Sequence, residues 1–286
     1  MDLGDDTGTQ ARFAEYTASL ASVLGHADRV GPFGDYCIGL LSAEGRKSVE
    51  PLAAMTAPER TAAQHQSLLH FVAQAPWSDQ AMLRRVRECV LPSITRDEPI
   101  QAWIIDDTGF PKKGSHSVGV VRQYCGQLGK QDNCQVAVSL SVATHQGSLP
   151  VAYRLYLPKE WADDPVRRAL ARVPDDIRFQ TQPEIALQQV REALADGVPP
   201  GVVLMDPAYG NDSKLRAGIS ELGLTYVAGI LPTTMVWRPG EAALSPASRA
   251  GRGRSGRRLR RDATHQPVSA KTLALELAAD AWEQIT

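Results

Sequence analysis

Apolar positions along the first hundred residues recur at helical spacing. In "QARFAEYTASLASVLG" Phe13, Leu20, Val23 and Leu24 fall near one face; in "DQAMLRRVRECVL" Met82, Leu83, Val86 and Val90 do so, with Ser78 placed as the cap. Pro51, Pro58, Pro76 and Pro92 predict that this stretch is cut into short helices. The period then changes. "AWIID", short, apolar and β-branched, predicts a strand buried on both faces that stops at Gly109-Phe110-Pro111. In "NCQVAVSLSVAT" Val136, Val138, Leu140 and Val142 alternate against Ala137, Ser139 and Ser141, the two-residue period of a strand. "HQGS" predicts a turn and "LPVAYRLYLP" the returning strand.

Helical spacing resumes in "PEIALQQVREALADG". Pro183 suits a helix start, Leu187, Val190 and Leu194 share a face, and Gly197 is the stop. "GVVLMD" predicts a buried strand ending in Asp206. "NDSKLRAGISELG" predicts a helix capped by Asn211 with Leu215, Ile219 and Leu222 inside, and "LTYVAGIL" a fifth strand. The order is β-β-β-α-β-α-β: an α/β fold with one mixed sheet, its first three strands antiparallel with a wide first connection. A helical module over residues 1–97 precedes this core of residues 98–231. In residues 232–286 Pro, Gly, Ser and Arg dominate until a last helical stretch, "AKTLALELAADAWEQI".

Composition changes this picture little. Of 286 residues, 43% are hydrophobic and 22% charged, the balance of a folded soluble chain rather than a disordered one. No apolar run approaches the ~18 residues of a membrane span, and "MDLGDDTGTQ" is not a signal peptide, so the expected location is cytoplasmic. Cys37, Cys89, Cys125 and Cys134 lack zinc spacing and read as reduced thiols. Net charge is −1, yet "GRGRSGRRLRR" (residues 251–261) carries Arg252, Arg254, Arg257, Arg258, Arg260 and Arg261 with no acid. That run reads equally as a solvated loop or as a polyanion contact.

Two predicted strands end in a carboxylate, "WIID" at Asp106 and "VLMD" at Asp206. If these strands are parallel neighbours, their terminal carboxylates stand together at one sheet edge, where ligands of open α/β sheets gather. Like charges so placed repel unless a proton or cation lies between them, and Mg²⁺ or Mn²⁺ is the expected occupant. A single Asp at a strand end is more commonly a turn former or helix cap; it is the pair that points to a metal. Asp107 either joins the site or fixes the turn at Thr108-Gly109. Lys112 and Lys113 are surface lysines or phosphate contacts. A haloacid-dehalogenase-type phosphatase would place a second Asp at position 108, where this chain has Thr, and would not follow with antiparallel strands.

The stretch "WIIDDTGFPKKGSHSVGVVRQYCGQLGKQDNCQVAVSL", with "PVAYRLYLPKEWADD" and "GVVLMDPAYGND", closely resembles bacterial insertion-sequence transposases of the IS701 type. These belong to the DDE superfamily, whose catalytic core is RNase H-like. The resemblance runs from about residue 36 to the last residue, strongest over residues 102–229. It implies an RNase H-like core, for which β-β-β-α-β-α-β is the expected order. By position it assigns the first catalytic acid to Asp106, in a D-x-T pattern completed by Thr108, with Asp107 the second choice, and the next acid to Asp206. Pro207 stands where many relatives carry a small residue. The family's third acid is a Glu on a helix further on. Neither Glu276 nor Glu283 lies in surroundings like it, so the chain looks truncated ahead of it, with residues 232–286 the start of a basic insertion.

What the resemblance implies is metal-dependent hydrolysis at transposon ends followed by strand transfer into target DNA. Asp106, Asp206 and the Glu would hold two Mg²⁺ about 4 Å apart. Lys112, Lys113 and the arginines would contact phosphates without reading sequence. DNA is the expected partner, with a homodimer pairing two ends, in the nucleoid. Without the Glu, this chain alone is expected to be weakly active or inactive. Two other readings stay open: a non-catalytic DNA-binding remnant, and a phosphoesterase for small esters.

Overall fold

The computed structural model describes residues 6–245, 262 and 264–282. By contacts the chain divides into two compact units, one of residues 1–101 with 141–153, the other of residues 102–140 with 154–286.

The first unit is largely helical: α1 (Asp6–Ala21), α2 (Val30–Ser42), α3 (Val49–Thr56), α4 (Thr61–Ala73) and α5 (Asp79–Ile94). Leu20, Leu24, Phe33 and Phe71 form its main core, with the Phe71 and Trp77 rings stacked 5.7 Å apart. Leu52, Ala53 and Leu68 form a second cluster. Ser78 caps α5 by accepting from the Ala81 N–H. Pro92 does not break α5 as its sequence suggested. It lies in the last turn of α5, and the helix ends two residues later at Ile94.

Six strands form one sheet: β1 (Ala102–Pro111), β2 (Val121–Cys125), β3 (Lys130–Ala143), β4 (Ser148–Leu155), β5 (Val202–Met205) and β6 (Tyr226–Ala228). The path is β2-β3-β1-β5-β6, with β4 also paired to β3. β5 is parallel to both β1 and β6. With β2 set aside, the five expected strands take the mixed arrangement of an RNase H-like core. β2 itself was not anticipated. It occupies part of the wide first connection and pairs antiparallel with β3, Val121 opposite Cys134 and Cys125 opposite Lys130. Its five residues alternate only weakly, and one buried position, Cys125, gives no periodic signal.

β1 also runs further than expected, through Gly109, Phe110 and Pro111. Gly109 is there for contact and not for a turn: a Cβ on it would lie 2.9 Å from the Cys125 sulfur and 3.0 Å from the Cys125 Cα. Past Pro111 the ladder continues, the Lys112 N–H donating to the Asn133 carbonyl at 2.9 Å.

α6 (Lys159–Ala162) and α7 (Pro165–Leu170) are short; α8 (Gln182–Ala195) follows. Thr181 and Glu184 form a reciprocal capping box at the α8 start, with Pro183 in its first turn. Ile185, Ala186, Gln189, Val190 and Ala193 are its buried residues, and Gln189 donates to the Val138 carbonyl. A four-residue turn, α9 (Pro207–Gly210), leads into α10 (Ser213–Glu221). The cap of α10 is Asp212, not Asn211; the insertion of α9 moves the start by one residue. β7 (Met235–Val236) and β8 (Val268–Ser269) pair antiparallel, and α11 (Ala270–Glu276) is shorter than the sequence pattern suggested. Among the described residues no helix is long and apolar enough to cross a membrane.

The corner after β5 is held by backbone contact. A Cβ on Gly210 would lie 2.0 Å from the Gly229 carbonyl oxygen, and one on Gly229 would lie 2.8 Å from the Pro207 ring. Gly210→Ala is therefore expected to destabilise the chain by about 2 kcal/mol or more, read as a lowered midpoint in urea unfolding; an unchanged midpoint would mean that this corner is not packed as described.

Candidate active site

The register of β1 on β5 decides the site. Ala102 pairs with Val202, Trp103 with Val203, Ile104 with Leu204 and Ile105 with Met205, so the next residue on each strand is an aspartate. Both strands show the same burial alternation: Trp103, Ile105, Val203 and Met205 are buried, while Ile104 and Leu204 are less so. By strand alternation Asp106 and Asp206 project to the Ile104–Leu204 side, and both are exposed. Trp103 anchors β1 from below, wholly buried, its indole N–H donating to the Pro199 carbonyl at 2.9 Å.

Each of the two carboxylates is oriented by a backbone N–H. Asp106 Oδ1 accepts from the Asp107 N–H at 2.7 Å. Asp206 Oδ1 caps α9, accepting from Ala208 N–H at 2.9 Å and Tyr209 N–H at 3.3 Å. Pro207 is the first residue of that helix, where its missing N–H costs nothing. Asp206 thus has the helix-cap role a lone strand-end Asp commonly has, with Oδ2 left over. No hydrogen bond among the described residues engages Oδ2 of Asp106 or Asp206.

Asp107 is half-buried, and Tyr209, itself buried, donates its hydroxyl to Asp107 Oδ2 over a long 3.4 Å. Burial raises the Asp107 pKa, the negative charges of Asp106 and Asp206 raise it further, and the Tyr209 hydroxyl pulls it back. Tyr209 in turn is raised by burial first and then by Asp107. Three acids therefore share one corner, and among the described residues no ion pair offsets them. Such uncompensated charge on hard oxygen donors suits a divalent cation.

Thr108, exposed, lies two residues past Asp106 on the same side of β1. Lys112 and Lys113 are exposed but sit beyond the far end of β1. Six residues of strand at ~3.4 Å each put Lys112 about 20 Å from Asp106, so the lysines are not beside the acids. Glu276 is not grouped with the aspartates either: Arg238 holds its carboxylate at 2.8 and 3.0 Å, and no group of three metal-holding side chains occurs among the described residues. Glu283 and the six arginines Arg252, Arg254, Arg257, Arg258, Arg260 and Arg261 lie outside the described residues. Sequence reading missed Tyr209. Its only signal was a tyrosine three residues after the second acid in "MDPAYG", one helical turn on.

A mixed RNase H-like sheet that pairs two strand-end aspartates defines the class of metal-dependent nucleic-acid enzymes to which the comparisons point. Residues 19–286 match the family described as DDE superfamily endonuclease, and the chain belongs to that family. Endonucleases of this superfamily generally use divalent metal ions. Over 194 residues the chain is 31% identical to a protein of Microchaete diplosiphon described as the probable transposase for insertion sequence element IS701. The match covers 68% of this chain and 47% of the relative, so the chain spans about half the length of that protein.

Substitution separates the observed capping by Asp206 from the cation binding expected of it. Asp206→Asn keeps a capping oxygen and is expected to unfold within about 0.5 kcal/mol of the parent, whereas Asp206→Ala loses about 1 kcal/mol. Both are expected to lose divalent-cation binding. Calorimetric titration beside urea unfolding reads the two separately, and cation binding retained by Asp206→Asn would remove Asp206 from the ligand set.

Proposed function

We propose that this chain carries the catalytic portion of a DDE-type DNA transposase, with Asp106 and Asp206 as its first two acids. The observation that carries the reading is the β1–β5 register, which leaves an aspartate at the same step on both strands. Family membership and the IS701 relative support it.

A divalent cation, Mg²⁺ or Mn²⁺, held by Asp106 and Asp206 would supply Lewis-acid activation of water or a DNA 3′-hydroxyl and offset charge on the attacked phosphate. The residues do the rest. Asp106 and Asp206 present their free Oδ2 atoms from fixed positions, so little reorganisation is needed on binding. Alone, the three carboxylates repel a phosphodiester; a bound divalent cation offsets most of that charge, which couples cleavage to metal. The reaction is attack of water on a phosphodiester with release of a 3′-oxygen, then attack of that 3′-hydroxyl on target DNA. Asp107 and Thr108 flank the first acid.

Lys112 and Lys113, 20 Å or so along β1, would meet phosphates away from the cleaved one, as would the arginine run. The helical residues 1–97 would add DNA contact, and residues 232–286 would begin a basic insertion. Two copies pairing two transposon ends in the nucleoid complete the proposal. Only two acids of the expected three are grouped in these residues, so the 286-residue chain by itself is expected to cut weakly.

Nicking of supercoiled plasmid in Mg²⁺ or Mn²⁺ tests this, beside Asp106→Ala and Asp206→Ala. Weak nicking by the parent, lost in both variants, with salt-sensitive DNA binding kept by all three, is the expected result. Nicking that survives both substitutions would overturn the site. Binding without any nicking would favour a non-catalytic remnant, for which the engagement of Glu276 by Arg238 also speaks.

A further inference from the structure

Tyr209 touches both acid-bearing segments. Its backbone N–H donates to Asp206 Oδ1 at 3.3 Å, and its hydroxyl donates to Asp107 Oδ2 at 3.4 Å. The Asp107 N–H in turn donates to Asp106 Oδ1 at 2.7 Å. A continuous chain of hydrogen bonds therefore runs Asp106, Asp107, Tyr209, Asp206, and crosses from the end of β1 to the first turn of α9. The ring itself cannot wander. Tyr209 is 2% exposed, and the next residue, Gly210, is pressed against the Gly229 backbone closely enough to exclude a Cβ.

This arrangement solves a problem that the register creates. Asp107 is a third carboxylate one residue from Asp106, half-buried, with like charges beside it and, among the described residues, no cation paired to it. Left untethered, it could turn toward its neighbours and disturb the two acids. The hydroxyl gives one Asp107 oxygen a donor, and the backbone bonds spend Oδ1 of Asp106 and of Asp206. What remains, in a fixed relation, is Oδ2 of each.

Resting on the reading of Asp106 and Asp206 as cation ligands, we infer that Tyr209 is a positioning residue of this site: through Asp107 it fixes the β1 end against the α9 turn and so sets the two ligand oxygens for a divalent cation. Partners behind metal ligands commonly govern affinity by tenfold or more.

The test is Mn²⁺ binding by the purified chain, followed by the loss of the free-ion electron paramagnetic resonance signal, with DNA cleavage read in parallel. Tyr209→Phe keeps the ring and removes only the hydroxyl. It is expected to weaken Mn²⁺ binding about tenfold and to raise the Mn²⁺ needed for half-maximal nicking by a similar factor. The nicking rate at saturating Mn²⁺ should change less. In an Asp107→Asn background, where no charge is left to tether, the same substitution should shift binding less than about twofold.

Unchanged Mn²⁺ affinity in Tyr209→Phe overturns the inference, as does an equal loss in the Asp107→Asn background, which would mean that Tyr209 does not act through Asp107. Should Tyr209→Phe fail to fold, the unsubstituted chain carries the test. Mg²⁺ should perturb its tyrosine absorbance and Asp107→Asn should abolish that change; a change that persists in Asp107→Asn, or none in the parent, overturns the inference. Asp106→Asn and Asp206→Asn keep the two claims apart. If both bind Mn²⁺ as the parent does, the metal site itself falls; if both lose it and Tyr209→Phe does not, only the role of Tyr209 falls.

Discussion

Two parallel strands in one fixed register leave like charges at the same step, and the surroundings of the β1 and β5 ends follow from that juxtaposition. A carboxylate pair at the mouth of a sheet is costly without a cation, and a third acid one residue away adds to the cost. Among the described residues this is met with donors and not with counter-charge. The Asp107 N–H serves Asp106, two α9 N–H groups serve Asp206, and the Tyr209 hydroxyl serves Asp107. Neutral donors hold the carboxylates without filling the place of a cation, which an Arg or Lys partner would do.

The backbone around this point is built for stiffness. Trp103 is buried below the acids with its N–H satisfied, Gly109 brings β1 against Cys125, and Gly210 and Gly229 bring the α9 turn against the end of β6. Each glycine stands where a side chain would force two segments apart. The first acid is therefore carried on a strand that runs past it on both sides, and the second on a corner pinned by its neighbours. Carboxylates on such supports reach a bound ion with little reorganisation, the condition under which electrostatic stabilisation is most effective.

The basic residues lie apart from the acidic corner. Lys112 and Lys113 are displaced along β1, and Arg238, near in sequence to the basic stretch, is committed to Glu276. On the proposed function the arrangement would separate two electrostatic tasks that otherwise cancel: a negative corner for a cation, and positive residues elsewhere for a polyanion.

The sequence by itself determined the class of fold and placed Asp106 and Asp206 at the ends of two strands. Buried strands announce themselves by uninterrupted apolar runs, helices by their 3.6-residue spacing, and Asp106 and Asp206 by ending such runs. The Ser78 cap and the helix start at Pro183 were legible for the same reason, since both are local signals, whereas the Thr181–Glu184 capping box was not read. Other features depended on residues distant in the chain. β2 exists because β3 offers it an edge; Gly109 reads as a turn until Cys125 is seen against it; Pro92 breaks nothing because it falls in a last turn. Asp212 displaces Asn211 as the cap because α9 intervenes. Above all, a one-residue slip of β1 on β5 would have matched Asp107 or Ile105 to Asp206 and sent Asp106 to the opposite face of the sheet. No local pattern encodes that register. It is set by the burial of Trp103, Ile105, Val203 and Met205, and with it comes the pairing of the two strand-end aspartates.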